Sequence, residues 1–156
     1  MSAAGGIRVQ IPERGVREFT DLVCDFNGTL ALDGALLPGV AERLHQLADR
    51  LRITVLTSDT YGTARAALAE LPVAVETVRS GRDKARWLSG KTGVVAIGNG
   101  QNDIAMMWLA DLTVAVIGPE GVAPDLLRHA HLAVRDITDA LDLLLHPQRL
   151  AATLRL

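Results

Sequence analysis

An apolar run ends at an acid in the stretch Leu22-Val23-Cys24-Asp25-Phe26-Asn27-Gly28-Thr29-Leu30-Ala31. The run predicts a buried strand because β-branched and aromatic residues are frequent in strands, and Gly28 predicts a tight loop after it. In open parallel sheets, ligands collect beyond the carboxyl ends of the strands. Asp25 is therefore either a functional carboxylate at such an end or an ordinary turn acid.

Length and composition favour one domain without a charged binding surface. The chain has 156 residues, of which 49% are hydrophobic and 3% aromatic, so its core must be mostly aliphatic. The formal net charge of −2 gives no electrostatic reason to expect binding to nucleic acid or to an anionic membrane. Cys24 is the single cysteine, so we expect no internal disulfide and a small buried side chain at this position. Residues 1–6 lack the pattern of a signal peptide and no apolar run is long enough to span a membrane, so we expect a soluble, cytoplasmic protein.

Apolar runs alternate with helical patterns along most of the chain. This alternation predicts an α/β fold, a three-layer Rossmann-like sandwich with a mostly parallel central sheet. We expect a single domain over residues 1–156 with its core at about 20–145. An N-terminal edge strand at 7–11 is predicted to turn back toward the central strand as a β-hairpin, and a C-terminal helix is predicted at about 147–155.

Some polar and aromatic residues have ordinary structural explanations. Asp59 and Thr60 follow a predicted strand, and either residue could cap the next helix instead of serving a site. His45 falls between apolar helix positions and is expected at the surface. Ile104, Met107 and Trp108 are expected to share one helical face, and Met106, Met107 and Trp108 are expected to serve packing.

Polar side chains recur where strands end or helices begin. A carboxylate at such a place can attack phosphorus and form an acyl phosphate, which divides one difficult displacement into two easier ones. Because the transferring group spreads negative charge over its oxygens, the site also needs Mg²⁺, a hydroxyl and a cation. The chain offers all the protein groups in order, namely Asp25 with Asn27 and Thr29, then Thr57, then Lys84, and last Asn99 with Asp103.

This ordered set resembles the motifs of the haloacid dehalogenase superfamily, which are Asp-x-Asp-Gly-Thr, a Thr or Ser after a strand, a Lys, and Gly-Asp-x-x-x-Asp. It is most similar to the phosphorylation domain of P-type ATPases and to small soluble proteins like that domain. Asp25-Phe26-Asn27-Gly28-Thr29 resembles their Asp-Lys-Thr-Gly-Thr, Thr57-Ser58-Asp59 resembles Thr-Gly-Asp, and Gly98-Asn99-Gly100-Gln101-Asn102-Asp103 resembles Gly-Asp-Gly-x-Asn-Asp. The match extends over about residues 22–116.

The resemblance implies a role for each matching residue. Asp25 would be the nucleophile and a Mg²⁺ ligand, Thr57 and Lys84 would hold the phosphoryl oxygens, and Asp103 would bind or orient the metal shell. The implied catalytic residues are Asp25, Thr57 and Lys84. The implied phosphate-binding residues are Asn27, Gly28, Thr29, Thr57, Ser58, Lys84 and Asn102. The implied metal ligands are Asp25, Asn27 through its backbone carbonyl, Asn99 and Asp103.

Two departures from the motifs predict slow chemistry. Asn27 stands where phosphatases of the superfamily have a second Asp, and an amide cannot act as general acid and base. Loss of such a group typically costs about 10²–10⁴-fold in rate. Asn99 stands where the superfamily has an acidic metal ligand, and its amide oxygen brings no charge to Mg²⁺.

Two functions are compatible with these residues. The first is a Mg²⁺-dependent phosphohydrolase that acts through an aspartyl phosphate, slowly because of Asn27 and Asn99. The second is a catalytically quiet binding or regulatory protein that holds a phosphorylated ligand or partner. The segments 30–53 and 58–83 are too short for a cap domain, so we expect an open site. Such a site favours a phosphorylated macromolecule or small molecule, or a homo-oligomer whose second subunit covers it.

Overall fold

Six parallel strands form the centre of the structure, a computed structural model that describes residues 5–156. The described strands are β1 (Ile7–Ile11), β2 (Gly15–Phe19), β3 (Asp21–Cys24), β4 (Ala31–Leu32), β5 (Ala35–Leu36), β6 (Arg52–Thr57), β7 (Ala74–Thr77), β8 (Val94–Gly98), β9 (Leu112–Val116) and β10 (Leu132–Val134). The central sheet has the order β10-β9-β8-β3-β6-β7, and all neighbouring pairs are parallel. The strand that precedes Asp25, β3, is therefore an inner strand with a neighbour on each side.

Helices cover both faces of the central sheet. They are α1 (Val40–Leu47), α2 (Thr63–Leu68), α3 (Gly81–Leu88), α4 (Ile104–Met107), α5 (Pro124–His129), α6 (Ile137–Leu145) and α7 (Pro147–Leu154). Leu22 and Cys24 pack into the cluster that holds the apolar residues of α1, α6 and α7, whereas Val23 packs with Leu88 of α3 and Met106 of α4. A strand covered on both faces has a continuous apolar sequence, as β3 does. The predicted three-layer α/β sandwich is confirmed.

The connections beside the sheet are short. Between β3 and β6 the chain forms α1 and a small antiparallel hairpin, β4 and β5, which we call the flap. Between β6 and α3 it forms α2 and β7. Neither segment holds a cap domain, as predicted. None of the helices in residues 5–156 is both long enough and apolar enough to cross a membrane.

The predicted N-terminal strand has a different partner from the expected one. Ile7–Ile11 is a strand, but it pairs antiparallel with β2 in a separate two-stranded sheet and does not form an edge of the central sheet. Its apolar side chains are buried, and α7 packs against it. Alternation in sequence shows that one face is buried but does not tell which sheet a strand joins. The N-terminal β-hairpin is confirmed, and its assignment to the central sheet is corrected.

The expectation that Trp108 packs against the core is also wrong, because 67% of its surface is exposed. α4 ends at Met107, so the helical face expected to include Trp108 does not continue that far. Its indole N–H donates to Nδ1 of His129 at 3.0 Å.

His45 is exposed, as predicted. Cys24 is fully buried, as predicted, and burial raises the pKa of its thiol, so it is not a reactive group.

Asp59 caps α2, which is one of the two roles that the sequence allows. Its Oδ1 accepts a hydrogen bond from the backbone N–H of Ala64 at 2.7 Å, and its Oδ2 accepts one from the N–H of Arg65 at 3.3 Å. Unsatisfied N–H groups at a helix start are commonly paired in this way. The Asp59 carboxylate is thereby occupied at the start of α2.

Candidate active site

Lys84 lies between two carboxylates at the carboxyl end of the central sheet. Its Nζ is 2.8 Å from Oδ1 of Asp25 and 2.7 Å from Oδ1 of Asp103. Asp25 directly follows β3, Lys84 is in α3, and Asp103 ends a 3₁₀ turn after β8. Three segments that are distant in sequence therefore meet around one ammonium group. We call Asp25, Lys84 and Asp103 the lysine cluster.

The lysine cluster is largely buried and carries an excess of negative charge. Lys84 and Asp103 are 2% and 0% exposed. Burial disfavours the ammonium, but the charges of Asp103 and Asp25 outweigh this effect and raise the pKa of Lys84. Burial and the charge of Asp103 raise the pKa of the Asp25 carboxyl to about 6, although Lys84 opposes the shift. When both acids are ionised, one cation faces two anions, and a second cation would balance them.

Asp103 uses both carboxylate oxygens inside the protein. Oδ1 takes the ammonium of Lys84, and Oδ2 accepts the backbone N–H groups of Asn99 at 3.1 Å and Gly100 at 3.0 Å. The close approach requires a glycine at position 98, since a Cβ there would overlap the Asp103 carboxylate. These contacts suit the orienting role that the resemblance implies for Asp103.

An open cleft of about 270 Å³ lies in front of the lysine cluster. Thr57 is buried at its wall, and its Oγ1 accepts the N–H of Asp59 at 3.3 Å, so its hydroxyl hydrogen can point toward a ligand. The predicted site residues that line the cleft are Asp25, Asn27, Thr57, Ser58, Lys84, Asn99 and Asn102. The structure therefore brings most of the predicted set together at one edge of the sheet.

Gly28 and Thr29 lie behind the cleft instead of lining it. The Oγ1 of Thr29 is 3.5 Å from Oδ2 of Asp25 and 3.3 Å from Oδ1 of Asn99. Gly28 has a φ of +84°, and a Cβ on it would stand 2.6 Å from Nδ2 of Asn99 and 2.7 Å from Oε1 of Glu120. Thr29 thus contacts Asp25 and Asn99, and the lack of a side chain at Gly28 leaves room for Asn99 and Glu120.

Two amides stand where phosphatases of the resembled superfamily have acids, and we call Asn27 and Asn99 the amide pair. Oδ1 of Asn27 accepts the backbone N–H of Gly34 in the flap at 2.8 Å. Nδ2 of Asn99 donates to the carbonyl of Gly121 at 3.0 Å. Each amide therefore ties a neighbouring loop to the site through neutral hydrogen bonds.

Sequence reasoning missed two charged residues that line the cleft, Arg79 and Glu120. Arg79 directly precedes Ser80, whose Oγ accepts the N–H of Asp83 and caps α3. Glu120 lies in Gly118-Pro119-Glu120-Gly121, just after β9. Both residues are exposed, so no apolar pattern marks them. The signal for Glu120 is its place after a buried strand, the same signal that identified Asp25 and Asn99.

The oxygens at the cleft suit a hard divalent cation such as Mg²⁺. Oxygen donors are available from the carboxylate of Asp25, the backbone carbonyl of Asn27 and the amide of Asn99, and Mg²⁺ prefers oxygen ligands. Oδ2 of Asp25 is not the oxygen that contacts Lys84. Within residues 5–156, no three Asp, Glu, His or Cys side chains are close enough to hold a metal by themselves. A bound Mg²⁺ would therefore depend on amide and backbone oxygens and on water.

Comparison with known sequences identifies two archaeal relatives. The chain is 48% identical over 62 residues to the uncharacterized protein MJ0073 of Methanocaldococcus jannaschii, a match that covers 40% of this chain and 67% of that protein. It is 46% identical over 39 residues to the uncharacterized protein MJ0072 of the same organism, covering 25% of this chain and 89% of that protein. No protein-family model matches the chain.

Solved structures with a similar fold include two groups of proteins. The deoxy-D-mannose-octulosonate 8-phosphate phosphatase of Haemophilus influenzae, in its cobalt-bound form, matches with a TM-score of 0.70 and 12% identity over 86% of this chain and 91% of that one. A protein of Legionella pneumophila assigned to HAD superfamily subfamily III A matches with a TM-score of 0.69 and 17% identity over 87% of each chain. The catalytic domain of the CPx-ATPase CopB-B matches with a TM-score of 0.53 and 27% identity over 70% of this chain and 45% of that one. The superfamily and P-type ATPase resemblance indicated by the motifs is confirmed at the level of the fold.

Proposed function

The chain belongs to the same family as the archaeal protein MJ0073 and has the haloacid dehalogenase-like fold, and we propose that it is a phosphohydrolase that acts through an aspartyl phosphate on Asp25. The observation that supports this most directly is the Lys84 ammonium between Asp25 and Asp103, at the edge of a cleft that Thr57 also lines. A carboxylate, a cation and a hydroxyl are the protein groups that phosphoryl transfer to an acid requires.

The proposed reaction has two displacements. In the first, an oxygen of the Asp25 carboxylate bonds to phosphorus, and the bond from phosphorus to the leaving oxygen breaks, so the leaving group departs with that electron pair. In the second, water attacks the phosphorus of the acyl phosphate, the bond to Asp25 breaks, and inorganic phosphate leaves. In both steps, Lys84 and the hydroxyl of Thr57 would hold the phosphoryl oxygens.

Mg²⁺ is the proposed cofactor, and it would supply charge neutralisation for the phosphoryl oxygens. Asp25, the backbone carbonyl of Asn27 and the amide of Asn99 are the groups that would hold it, while Asp103 keeps Lys84 and the Asn99 loop in place. The excess negative charge of the lysine cluster favours a second cation at this position.

Asn27 makes the proposed enzyme slow on ordinary phosphomonoesters. Its amide cannot give a proton to the leaving oxygen or take one from water, and its Oδ1 is engaged with the flap. Substrates with good leaving groups, such as acyl phosphates, need less help from an acid and should react faster.

The open cleft leaves room for a large substrate. With no cap domain in the described residues, water must be excluded by the substrate itself or by a second subunit. The proposed ligand is therefore a phosphorylated macromolecule or small molecule, with a homo-oligomer as one means of covering the site. Cys24 is the single cysteine and is buried as a free thiol, which favours a reducing compartment such as the cytoplasm.

The amide pair favours one alternative, a quiet binding protein that holds a phosphorylated partner. Both positions where phosphatases of the resembled superfamily have acids carry neutral side chains that make structural hydrogen bonds. Such a protein would keep the cation, hydroxyl and N–H groups for binding and would not turn over.

The test is release of inorganic phosphate from acetyl phosphate and p-nitrophenyl phosphate, with Mg²⁺ or with EDTA. We expect slow release that requires both Mg²⁺ and Asp25, and faster reaction of acetyl phosphate. Asp25→Asn should abolish release, while Asp33→Asn in the exposed flap should not. Equal release by the native protein and Asp25→Asn would refute the aspartyl-phosphate route. Phosphate binding without any release over hours would instead favour the binding protein.

A further inference from the structure

Glu120 is presented to the cleft by a loop that is fixed on both sides. The carbonyl of Gly121 accepts the Nδ2 hydrogen bond of Asn99 at 3.0 Å, and the backbone N–H of Ala123 donates to the carbonyl of Asn99 at 2.8 Å. On the other side of Glu120, the N–H of Gly118 donates to the carbonyl of Arg135 at 2.8 Å. The position of Glu120 beside Asn99 is therefore set by the backbone.

The same loop lies against the loop that carries Asp25. A Cβ on Gly118 would stand 2.9 Å from the carbonyl oxygen of Gly28. A Cβ built on Gly28 would stand 2.6 Å from Nδ2 of Asn99 and 2.7 Å from Oε1 of Glu120. The glycine therefore leaves a gap that the Glu120 carboxylate and the Asn99 amide approach from the other loops.

The Glu120 carboxylate has no structural task that would explain its place. None of the ion pairs among residues 5–156 involves it. By contrast, the acids of the lysine cluster share an ammonium, and Asp59 caps a helix. An acid that points into a cleft without a cationic partner leaves its charge available to a ligand.

We propose that Glu120 supplies, at the cation position of the cleft, the negative charge that Asn99 lacks. The inference rests on the proposed function, because it concerns the divalent cation of the same site. Mg²⁺ usually keeps several of its waters and is held by one or two carboxylates, so a nearby acid contributes through charge and through hydrogen bonds with those waters. Asn99 then acts as the anchor of the loop that delivers the charge, through its bond to Gly121.

This division of roles accounts for the pairing of an amide and an acid in the loops that follow two neighbouring strands, β8 and β9. An acid at position 99 would repel Glu120 across the Gly28 gap and could not donate to the Gly121 carbonyl. The amide donates to that carbonyl, and Asp25 and Glu120 remain as the two carboxylates that line the cleft. The charge count of the usual motif is thus retained with one acid moved to the next loop.

The experiment measures binding of Mn²⁺ by electron paramagnetic resonance, a readout that does not depend on turnover. Removal of a group that supports a metal site from outside the first layer of ligands typically costs about 10–100-fold in affinity. We expect Glu120→Gln to weaken Mn²⁺ binding by about 10-fold or more. Glu70→Gln, a change of the same kind at an exposed residue outside the cleft, should leave it unchanged. Equal Mn²⁺ affinity in Glu120→Gln and the native protein, or no Mn²⁺ binding by the native protein, would overturn the inference.

A rescue variant separates charge from local structure. Asn99→Asp placed in the Glu120→Gln background should restore part of the lost affinity, because it returns the missing charge to the same site. Continued weak Mn²⁺ binding together with unchanged thermal unfolding would contradict a role of Glu120 through its charge.

Phosphate release distinguishes the Glu120 inference from the proposed function. Release that needs Asp25 and a divalent cation, with Mn²⁺ affinity unaffected by Glu120→Gln, sinks the Glu120 inference and leaves the proposed function standing. If Glu120→Gln weakens Mn²⁺ binding but Asp25→Asn does not change phosphate release, the Glu120 inference stands and the proposed function fails.

Discussion

Asp25 and Lys84 of the lysine cluster line the same cleft as the amide pair, but the two groups are built in different ways. The lysine cluster joins three charged groups at 2.7–2.8 Å, with Lys84 and Asp103 almost fully buried. The amide pair makes neutral hydrogen bonds to the flap and to the Gly121 loop, and Asn27 is exposed. The side of the site that holds Asp25, the proposed nucleophile, is thus held tightly, while the side proposed to manage protons and metal has amides where phosphatases of the resembled superfamily have acids.

This difference bears on what each half can reveal about function. A buried charge cannot lose its partner without a large cost in stability, so the lysine cluster would resist change even in a protein that had lost its activity. The exposed side chains of Asn27 and Glu120 are under no such constraint. They therefore carry more information about turnover than the buried lysine cluster does.

The largest expected effect comes from breaking the lysine cluster. Lys84→Met leaves the buried carboxylates of Asp25 and Asp103 without their cation, and loss of one partner from a buried pair typically costs about 3–5 kcal/mol. Lys91→Met is the matched control, because Lys91 is exposed and stacks on the Trp87 ring at 4.0 Å, a contact that contributes about 0.5–1 kcal/mol. Denaturant unfolding in EDTA measures the free energy of unfolding of both variants and of the native protein. Similar losses for the two variants would mean that the cluster is not a structural charge network.

The second prediction concerns the rate of turnover when an acid replaces one amide of the amide pair. Asn27→Asp should raise the turnover of p-nitrophenyl phosphate by about 10²-fold or more, the usual contribution of a general acid and base. The carboxylate can still accept the N–H of Gly34, so the flap should keep its place. Asn102→Asp adds the same charge elsewhere in the cleft and should give no such gain. An equal increase for both variants would point to an effect of charge alone.

Much of this site could be predicted from the sequence, because its residues follow strands. Asp25, Thr57 and Asn99 each follow a buried apolar run, and the edge of a parallel sheet brings such positions together. Glu120 follows the same rule but belongs to no motif, so nothing singled it out. The partner of the strand at 7–11 and the exposure of Trp108 depend on where neighbouring elements end, which local patterns do not record.

The pH dependence of stability tests whether the lysine cluster carries excess charge. The pKa of the Asp25 carboxyl is raised to about 6 in the folded protein, so this group contributes stability fully below its unfolded pKa, near 4, and loses it as the pH rises through 6. In EDTA, the free energy of unfolding of the native protein relative to Asp25→Asn should fall between pH 4 and 6 by up to about 1.4 kcal/mol per pH unit. A constant difference over this range would indicate that Lys84 fully offsets both acids.

The smallest effect separates backbone strain from crowding at the amide pair. Gly28 and Gly15 have nearly the same φ, +84° and +85°, but a Cβ on Gly28 would meet Asn99 and Glu120, whereas one on Gly15 would meet nothing within 4 Å. Either substitution by alanine should cost about 1–2 kcal/mol of unfolding free energy from the left-handed conformation. Gly28→Ala should in addition weaken Mn²⁺ binding, because the new methyl group must displace the Asn99 amide or the Glu120 carboxylate. If Gly15→Ala reduced Mn²⁺ affinity as much, the effect would come from general destabilisation, and the gap at Gly28 would have no part in placing the two side chains.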